Sequence, residues 1–396
     1  MRRFIPFWLL LLLIAILLRV DFFFTITYLF AAVFVLSHLW TRQTLRHLRG
    51  ARRFTPRAFL GEALTVEIEV ENTGWLPVLW LELHESFDVT LRAPAFHHEV
   101  LSLGPHERQR RRYRLNCNRR GYYTIGPLRL TTGDLLALTP ARELTVAEEP
   151  IIVYPRVLSL AQLGLPTRSP LVALPAQARI FEDPARIMGM RDYAPGDSLR
   201  RIHWTASARA GQLLVKQYQP SIARETFICL DLDWADYDLR RRLPATELAI
   251  VTAASLANHV IVRERLPVGL ATLALDPLLD AVTRFSLPPR PERAHLMGIL
   301  ETLARVQAQE GLGASFPDWL REESLALGWG ATIAVITGSV SPDLLETLLY
   351  LRRAGCAVAL LLVQPAALDD AATGLASQVG IPIHRIWREQ DVEGWQ

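Results

Sequence analysis

Two nearly unbroken apolar runs, Phe4 to Leu18 and Phe22 to Trp40, are parted only by Arg19, Val20 and Asp21. Neither run has a polar face, so the pattern predicts a transmembrane α-hairpin rather than one amphipathic helix lying in the interface. At ~1.5 Å per residue the second run spans about 28 Å, close to a hydrocarbon thickness of ~30 Å. The first is shorter, so Arg19 has to snorkel or the bilayer has to thin locally. Arg2 and Arg3 ahead of an apolar stretch also fit a cleaved signal peptide. Against that, no small-residue cleavage site follows the first run, and a second run follows at once. Arg2 and Arg3 precede the hairpin and Arg42, Arg46, Arg49, Arg52 and Arg53 follow it. The positive-inside rule then places both ends, and the soluble domains, in the cytoplasm of a multi-pass membrane protein.

After this anchor, residues 1–50, the period changes to two. In Leu64-Thr65-Val66-Glu67-Ile68-Glu69-Val70-Glu71 apolar and polar residues swap at every step, and Asn72-Thr73-Gly74 ends the run. That is a strand with one buried and one wet face. Trp80 to His84 reads as another, with Gly-Pro turns at Gly104-Pro105 and Gly126-Pro127. Short strands at this spacing predict a small all-β, immunoglobulin-like sandwich over residues 51–155. Arg108, Arg110, Arg112 and Arg114 fall on one face of a strand whose other face carries Tyr113, Leu115 and Cys117. Such a ladder suits anionic headgroups; a solvated face is the plainer account and the preferred one.

Beyond residue 220 strands and helices alternate. Thr226–Leu230, Val268–Leu275, Ala331–Thr337, Ala357–Val363 and Ile381–Trp387 read as strands, and Ala245–Arg263, Pro291–Gln309 and Pro342–Arg353 as helices. That order predicts, for residues 221–396, an α/β domain with a mostly parallel sheet and helices on both faces. Residues 156–220 link the two folded parts.

Composition narrows the function. The formal net charge is only +3 over 396 residues, Lys216 is the single lysine, and the charges are interspersed. There is no recognisable nucleic-acid module, which disfavours nucleic-acid binding. Neither common glycine-rich phosphate loop is present. Cys117, Cys229 and Cys356 are too few and too scattered for a disulfide framework or a zinc site, which suits a reducing compartment.

The densest chemistry lies in Arg191 to Tyr218, RDYAPGDSLRRIHWTASARAGQLLVKQY. Pro195-Gly196 makes a turn, and Asp197 is placed to cap a short helix beginning at Ser198. Leu199, Ile202, His203 and Ala206 share one stripe of that helix, Gly211 suits its exit, and Leu213 to Lys216 alternate as a strand. Asp197, His203 and Ser207 invite a hydrolase reading, with His203 as base and Ser207 as nucleophile. Yet no nucleophile elbow accompanies them. A polar clasp is the stronger reading: Asp197 caps, His203 and Trp204 pack, and Arg200 and Arg209 pair with carboxylates.

Arg191, Tyr193, Gly196-Asp197, Arg200, Ile202-His203-Trp204, Ser207-Ala208-Arg209 and Lys216 together resemble the signature of the domain-of-unknown-function family numbered 58. The Arg120-Gly121 turn, Gly126-Pro127-Leu128 and Thr132-Gly133-Asp134 resemble the β region of the same proteins. The resemblance implies a membrane-anchored β domain followed by a von Willebrand factor A-like α/β domain. It also implies the company of MoxR-type AAA+ ATPases as protein partners. No activity is established for the family, so the resemblance supplies a place and a partner class rather than a reaction. Many von Willebrand factor A domains hold a metal through an Asp-x-Ser-x-Ser loop after the first strand. Here that loop is Asp231-Leu232-Asp233-Trp234-Ala235, and Thr337-Gly338 stands where a later Asp is often found. Asp231 and Asp233 are the candidate magnesium ligands. With two expected ligands missing, a metal-free binding face is the expectation and no cofactor is assigned. The leading function is a non-enzymatic, membrane-tethered scaffold or adaptor. The alternatives are the hydrolase and magnesium-dependent adhesion through the Asp231 loop.

Overall fold

The computed structural model describes residues 4–18, 21–134, 140–158, 181–193, 202–221, 225–325, 330–365, 374 and 381–393. Arg2, Arg3 and Arg19, which enter the topology argument, lie outside these, as do Gly196, Asp197 and Arg200. The chain divides into two compact units, Met1–Arg156 and Val157–Gln396.

In the first unit, α1 (Phe4–Leu18) packs against α2 (Asp21–His47). Ala15 and Thr27 are both fully buried, small residues of the kind that let two apolar helices approach closely. The Trp8 indole Nε1 donates to the Thr27 carbonyl at 3.3 Å. The 27-residue α2 is long and apolar enough to cross a membrane, and only 6% of its apolar window is buried. The helix passes straight into β1 (Leu48–Arg53). Its last carbonyl, His47 O, accepts from both the backbone N–H and the hydroxyl of Thr73, at 2.9 and 2.8 Å, so this end is not left unsatisfied.

The period-two segment forms β3 (Ala63–Asn72), paired antiparallel with β1 on one side and β6 (Arg108–Asn116) on the other. A second sheet runs in the order β2 (Arg57–Phe59), β9 (Glu149–Tyr154), β7 (Gly121–Thr132), β4 (Val78–Phe87), β5 (Phe96–Leu103). Strand β8 (Arg142–Val146) also pairs with β7. Leu64, Val66, Ile68 and Val70 of β3 share one core with Leu81 and Leu83 of β4 and Leu128 and Leu130 of β7. The β-sandwich expectation is met.

The outer face of the first sheet explains the arginine ladder. Glu71, Glu69 and Glu67 stand opposite Arg108, Arg110 and Arg112. Arg108 reaches Glu69 at 2.8 Å and Arg112 reaches Glu67 at 3.0 Å. Cross-strand pairs of opposite charge stabilise a sheet, so three of the four arginines serve the fold. Arg52, expected among the cytoplasmic surface charges, is instead inside the sandwich. Its side chain is fully buried, and its Nε pairs with the equally buried Glu85 carboxylate. The Tyr113 hydroxyl donates to the other Glu85 oxygen at 2.5 Å. The two-residue period of β1 turns Leu48 and Arg52 to the same inner face.

In the second unit, β10 (Phe181–Asp192) and β11 (Leu214–Ser221) form an antiparallel pair, with α3 (Trp204–Ala210) between them in sequence. A six-stranded sheet follows. Its order is β14 (Ala281–Arg290), β13 (Val268–Asp276), β12 (Thr226–Leu230), β15 (Thr332–Thr337), β16 (Ala357–Val363), β17 (Ile383–Ile386). All neighbours are parallel except β13 and β14, so the sheet is mixed with one antiparallel edge. Helix α4 (Arg242–Asn258) lies against β12, β15 and β16, and α5 (Arg293–Arg305) against β13 and β14. On the other face α6 (Phe316–Ser324) and α7 (Pro342–Arg353) bury Trp319, Leu320, Leu344 and Leu348 over Phe227, Cys229, Ile333 and Val335. A short α8 (Glu389–Glu393) closes the described chain. Arg242–Glu264 is also apolar enough to span a bilayer, but 78% of its apolar window is buried, which marks it as a core helix.

Candidate functional sites in the second unit

The signature segment is organised by backbone bonds. Arg191 and Asp192 of β10 face Val215 and Leu214 of β11, and Ile202 bridges Val215. Ile202 is therefore extended, not helical, and α3 begins at Trp204 rather than Ser198. The expected helix does not run through Ile202 and His203 because β11 captures the backbone there: Tyr193 N–H donates to Leu213 O and His203 N–H to Leu214 O, each at 2.9 Å; Ser198 and Leu199 lie outside the described residues.

His203 is the N-cap of α3, its Nδ1 accepting the Ala206 N–H at 3.2 Å. The buried Ser207 hydroxyl donates to the His203 carbonyl at 3.0 Å and accepts the Leu214 N–H at 2.9 Å. Ser207 thus rivets α3 to β11. Gly211 ends the helix in the left-handed region with φ 70°, as a C-terminal glycine should. A nucleophilic serine needs its hydroxyl on the base. Here the hydroxyl and the imidazole each serve a different backbone group, which speaks for the clasp.

The clasp differs from its expected form in three ways. The cap of α3 is His203 and not Asp197, which lies outside the described residues. Trp204 does not pack: it is 66% exposed, with Met190 at 47% and Leu213 at 44%. The contact with β11 runs through the Ser207 hydroxyl and the His203 backbone, and it leaves the indole uncovered. Arg209 is exposed and makes no ion pair with a described carboxylate. Arg191 is exposed, and one of its guanidinium nitrogens donates to the Asp192 carbonyl at 3.2 Å. Tyr193 is half-buried, and Lys216 sits in β11 opposite Met190.

At the carboxyl ends of β12 and β15 lies a second cluster. Asp231 is 2% exposed; its carboxylate accepts from Asp233 N–H at 3.0 Å and from the Thr337 hydroxyl at 2.7 Å. The Tyr237 hydroxyl closes over the Asp231 carbonyl at 2.7 Å. Burial, and next the negative charge of Asp236, push the Asp231 carboxyl well above its usual range. The Ser339 hydroxyl donates to Asp236 at 3.0 Å.

Asp233, the other candidate ligand, is not directed at Asp231. Its carboxylate receives the N–H groups of Ala235, Gly311 and Leu312 at 3.0, 3.3 and 3.2 Å. It is spent as a loop cap, and Asp236 is the carboxylate that faces Asp231. Gly338 is required where an aspartate is often found, because a Cβ there would meet Asp236 O and the Tyr237 ring at 2.5 Å. Sequence reasoning misses Tyr237 and Ser339. Their signal is the Thr337-Gly338-Ser339 turn, legible only beside the loop it packs against. Among the described residues no group of three or more His, Cys, Asp or Glu is arranged to hold a metal. The predicted pair Asp231 and Asp233 is not assembled, because the Asp233 carboxylate is bonded to three backbone N–H groups.

A family model described as "Protein of unknown function DUF58" matches residues 189–369. The chain is similar to the uncharacterized protein YeaD of Bacillus subtilis (strain 168), 25% identical over 158 residues. That alignment covers 40% of this chain and 37% of the Bacillus protein. Among solved structures it is similar to the CARDB domain of PF1109 from Pyrococcus furiosus, 20% identical with a TM-score of 0.22. That match covers 27% of this chain and 86% of the other. A β-glucosidase from Listeria innocua is 15% identical with a TM-score of 0.20, covering 28% of this chain and 16% of the enzyme. Likenesses this partial carry no argument about what the chain does.

Proposed function

We propose, from the resemblance to the DUF58 family over residues 189–369, that this chain is a membrane-tethered, non-enzymatic adaptor whose second unit docks a protein partner. The carrying observation is the division of labour in the signature segment. Its polar side chains are consumed, His203 in capping α3 and Ser207 in holding it on β11, while Trp204, Met190 and Leu213 are left exposed. An exposed tryptophan and an exposed arginine on one short helix, as Trp204 and Arg209 are, match the composition of binding hot spots. The Asp231 cluster, closed by Tyr237, supports a rigid binding face rather than a reaction centre. The family's association with MoxR-type AAA+ ATPases supplies the partner class. The length and hydropathy of α2 support the tether, and Arg42, Arg46 and Arg49 at and just past its far end favour a cytoplasmic side for the folded units.

The test is affinity capture of the detergent-solubilised chain from its own cells, with and without ATP, read by mass spectrometry. Nucleotide-dependent recovery of an AAA+ ATPase is expected. Trp204→Ala should abolish that recovery while changing stability by no more than about 0.5 kcal/mol, as surface substitutions do. Unchanged recovery with the variant, or no ATPase under either condition, refutes the reading.

A further inference from the structure

Where α2 meets the sandwich within the first unit there is a cavity of about 400 Å³. Leu36, Ser37 and Trp40 of α2 form one wall, and Val78 and Leu79 of β4 with Thr132 of β7 form the other. Three of its polar side chains are already satisfied inside the protein. The Trp40 indole donates to Pro77 O at 3.2 Å, and the Thr132 hydroxyl to Trp80 O at 2.7 Å. The Thr44 hydroxyl, also in the lining, donates to Trp40 O at 3.0 Å. Apart from Ser37 and Asp134, what remains facing the void is ring, methyl and methylene surface. Apolar cavities of roughly 150 Å³ already stay dry and accept apolar guests, and this one lies in the range of ligand pockets, roughly 300–1,000 Å³.

The helical wall is the end of the apolar stretch of α2. Leu36 is 68% exposed there and Leu79, on the other wall, 44%; Trp75, two residues past the Thr73 that bonds the last carbonyl of α2, is 68% exposed. Exposed tryptophan at the end of an apolar helix is the signature of the membrane–water interface. We propose that this cavity is a lipid site: it takes one acyl chain of a phospholipid from the leaflet that borders the sandwich. The inference rests on α2 crossing the bilayer. Among the described residues the lining carries no cationic side chain to hold a phosphate, so the chain enters and the headgroup stays at the surface. A partner helix is the poorer occupant. It would have to lie against the apolar stretch of α2 that the bilayer itself covers, where lipid is already in place.

The experiment uses the full chain in vesicles of phosphatidylethanolamine and phosphatidylglycerol doped with a phosphatidylcholine bearing a mid-chain diazirine. Photolysis and peptide mapping should label Val78 and Leu79 as well as the outward-facing Val35 and Leu39 of α2. Ser37→Phe, which fills the cavity from the helix side, should reduce the β4 label roughly tenfold, the ratio equivalent to about 1.4 kcal/mol, and leave Leu39 unchanged. Labelling of Val35 and Leu39 without β4 overturns the lipid site while keeping the tether. Labelling of neither overturns both. A protein crosslinked at Leu79 in place of lipid also overturns it.

Discussion

Replacing Glu85 with glutamine removes the one buried countercharge of Arg52. Both side chains are fully buried, and Arg52 Nη1 finds further acceptors in Ala147 O at 3.2 Å and Glu149 at 3.3 Å. The new amide can still accept from Tyr113, but its NH₂ then faces the guanidinium, donor against donor. Breaking a buried pair by removing one partner costs roughly 3–5 kcal/mol because the remaining charge is stranded. Glu149 is 46% exposed and compensates in part, which sets the expectation at about 3 kcal/mol, the lower end of that range. Hydrogen exchange of the intact chain reads this unit by unit. Amides of β3, β4 and β7 should exchange about 100-fold faster, at 1.4 kcal/mol per tenfold, while those of β12 and β15 do not change. Arg52→Met added to Glu85→Gln should restore most of the protection, since no buried charge is then left alone. An effect below about fivefold in the single variant, or no recovery in the double, would refute the assignment of Arg52 as a buried structural charge.

Asp231 and Asp276 should respond to pH with opposite sign. The Asp231 carboxyl is raised by burial and by Asp236, so its contribution is fully present below the unfolded value of about 3.9 and is lost as pH rises through the folded one. Asp231→Asn keeps the bonds to Asp233 and Thr337. It should therefore gain about 1 kcal/mol over the parent at pH 8 and nothing at pH 4 in urea titrations, a tenfold change in a protonation equilibrium being worth about 1.4 kcal/mol; a loss at pH 8 sinks the argument. Burial acts to raise Asp276 too, but the two-pronged Arg305 guanidinium and the Leu278 N–H outweigh it and hold the carboxyl low. That stability is present above pH ~3.9 and is lost as pH falls through the folded value. Arg305→Ala should cost about 2 kcal/mol at pH 7, less than a fully buried pair, and progressively less toward pH 4; a pH-independent loss contradicts it. Ser207→Ala strands the Leu214 N–H and should open the α3–β11 contact by about 1–2 kcal/mol, seen as faster exchange at Leu214 with β12 unaffected. Unchanged exchange at Leu214 would mean that the hydroxyl is not the rivet.

Much of this protein is determined by its sequence, wherever a pattern is local. The alternation through Leu64–Glu71 sets both the strand and its inner face, because a two-residue period leaves a strand one way to bury its apolar side. The helix at Pro342–Arg353 and the strand at Ala357–Val363 match the structure end to end, since a capping serine, a proline and a turn at Gly355 punctuate them. Other features are decided only by tertiary contacts. Ala281–Arg290 becomes an edge strand because the strand pairing it, Val268–Asp276, has no other neighbour on that side. Arg52 reads as a surface charge, since nothing near it in sequence announces Glu85, 33 residues away. Asp233 and Asp236 look alike in the sequence. Their roles are divided by the chain at Gly311 and Leu312, which claims one carboxylate, and by Ser339, which meets the other. A carboxylate or a guanidinium takes its meaning from the groups that satisfy it, and in a buried site those come from distant parts of the chain.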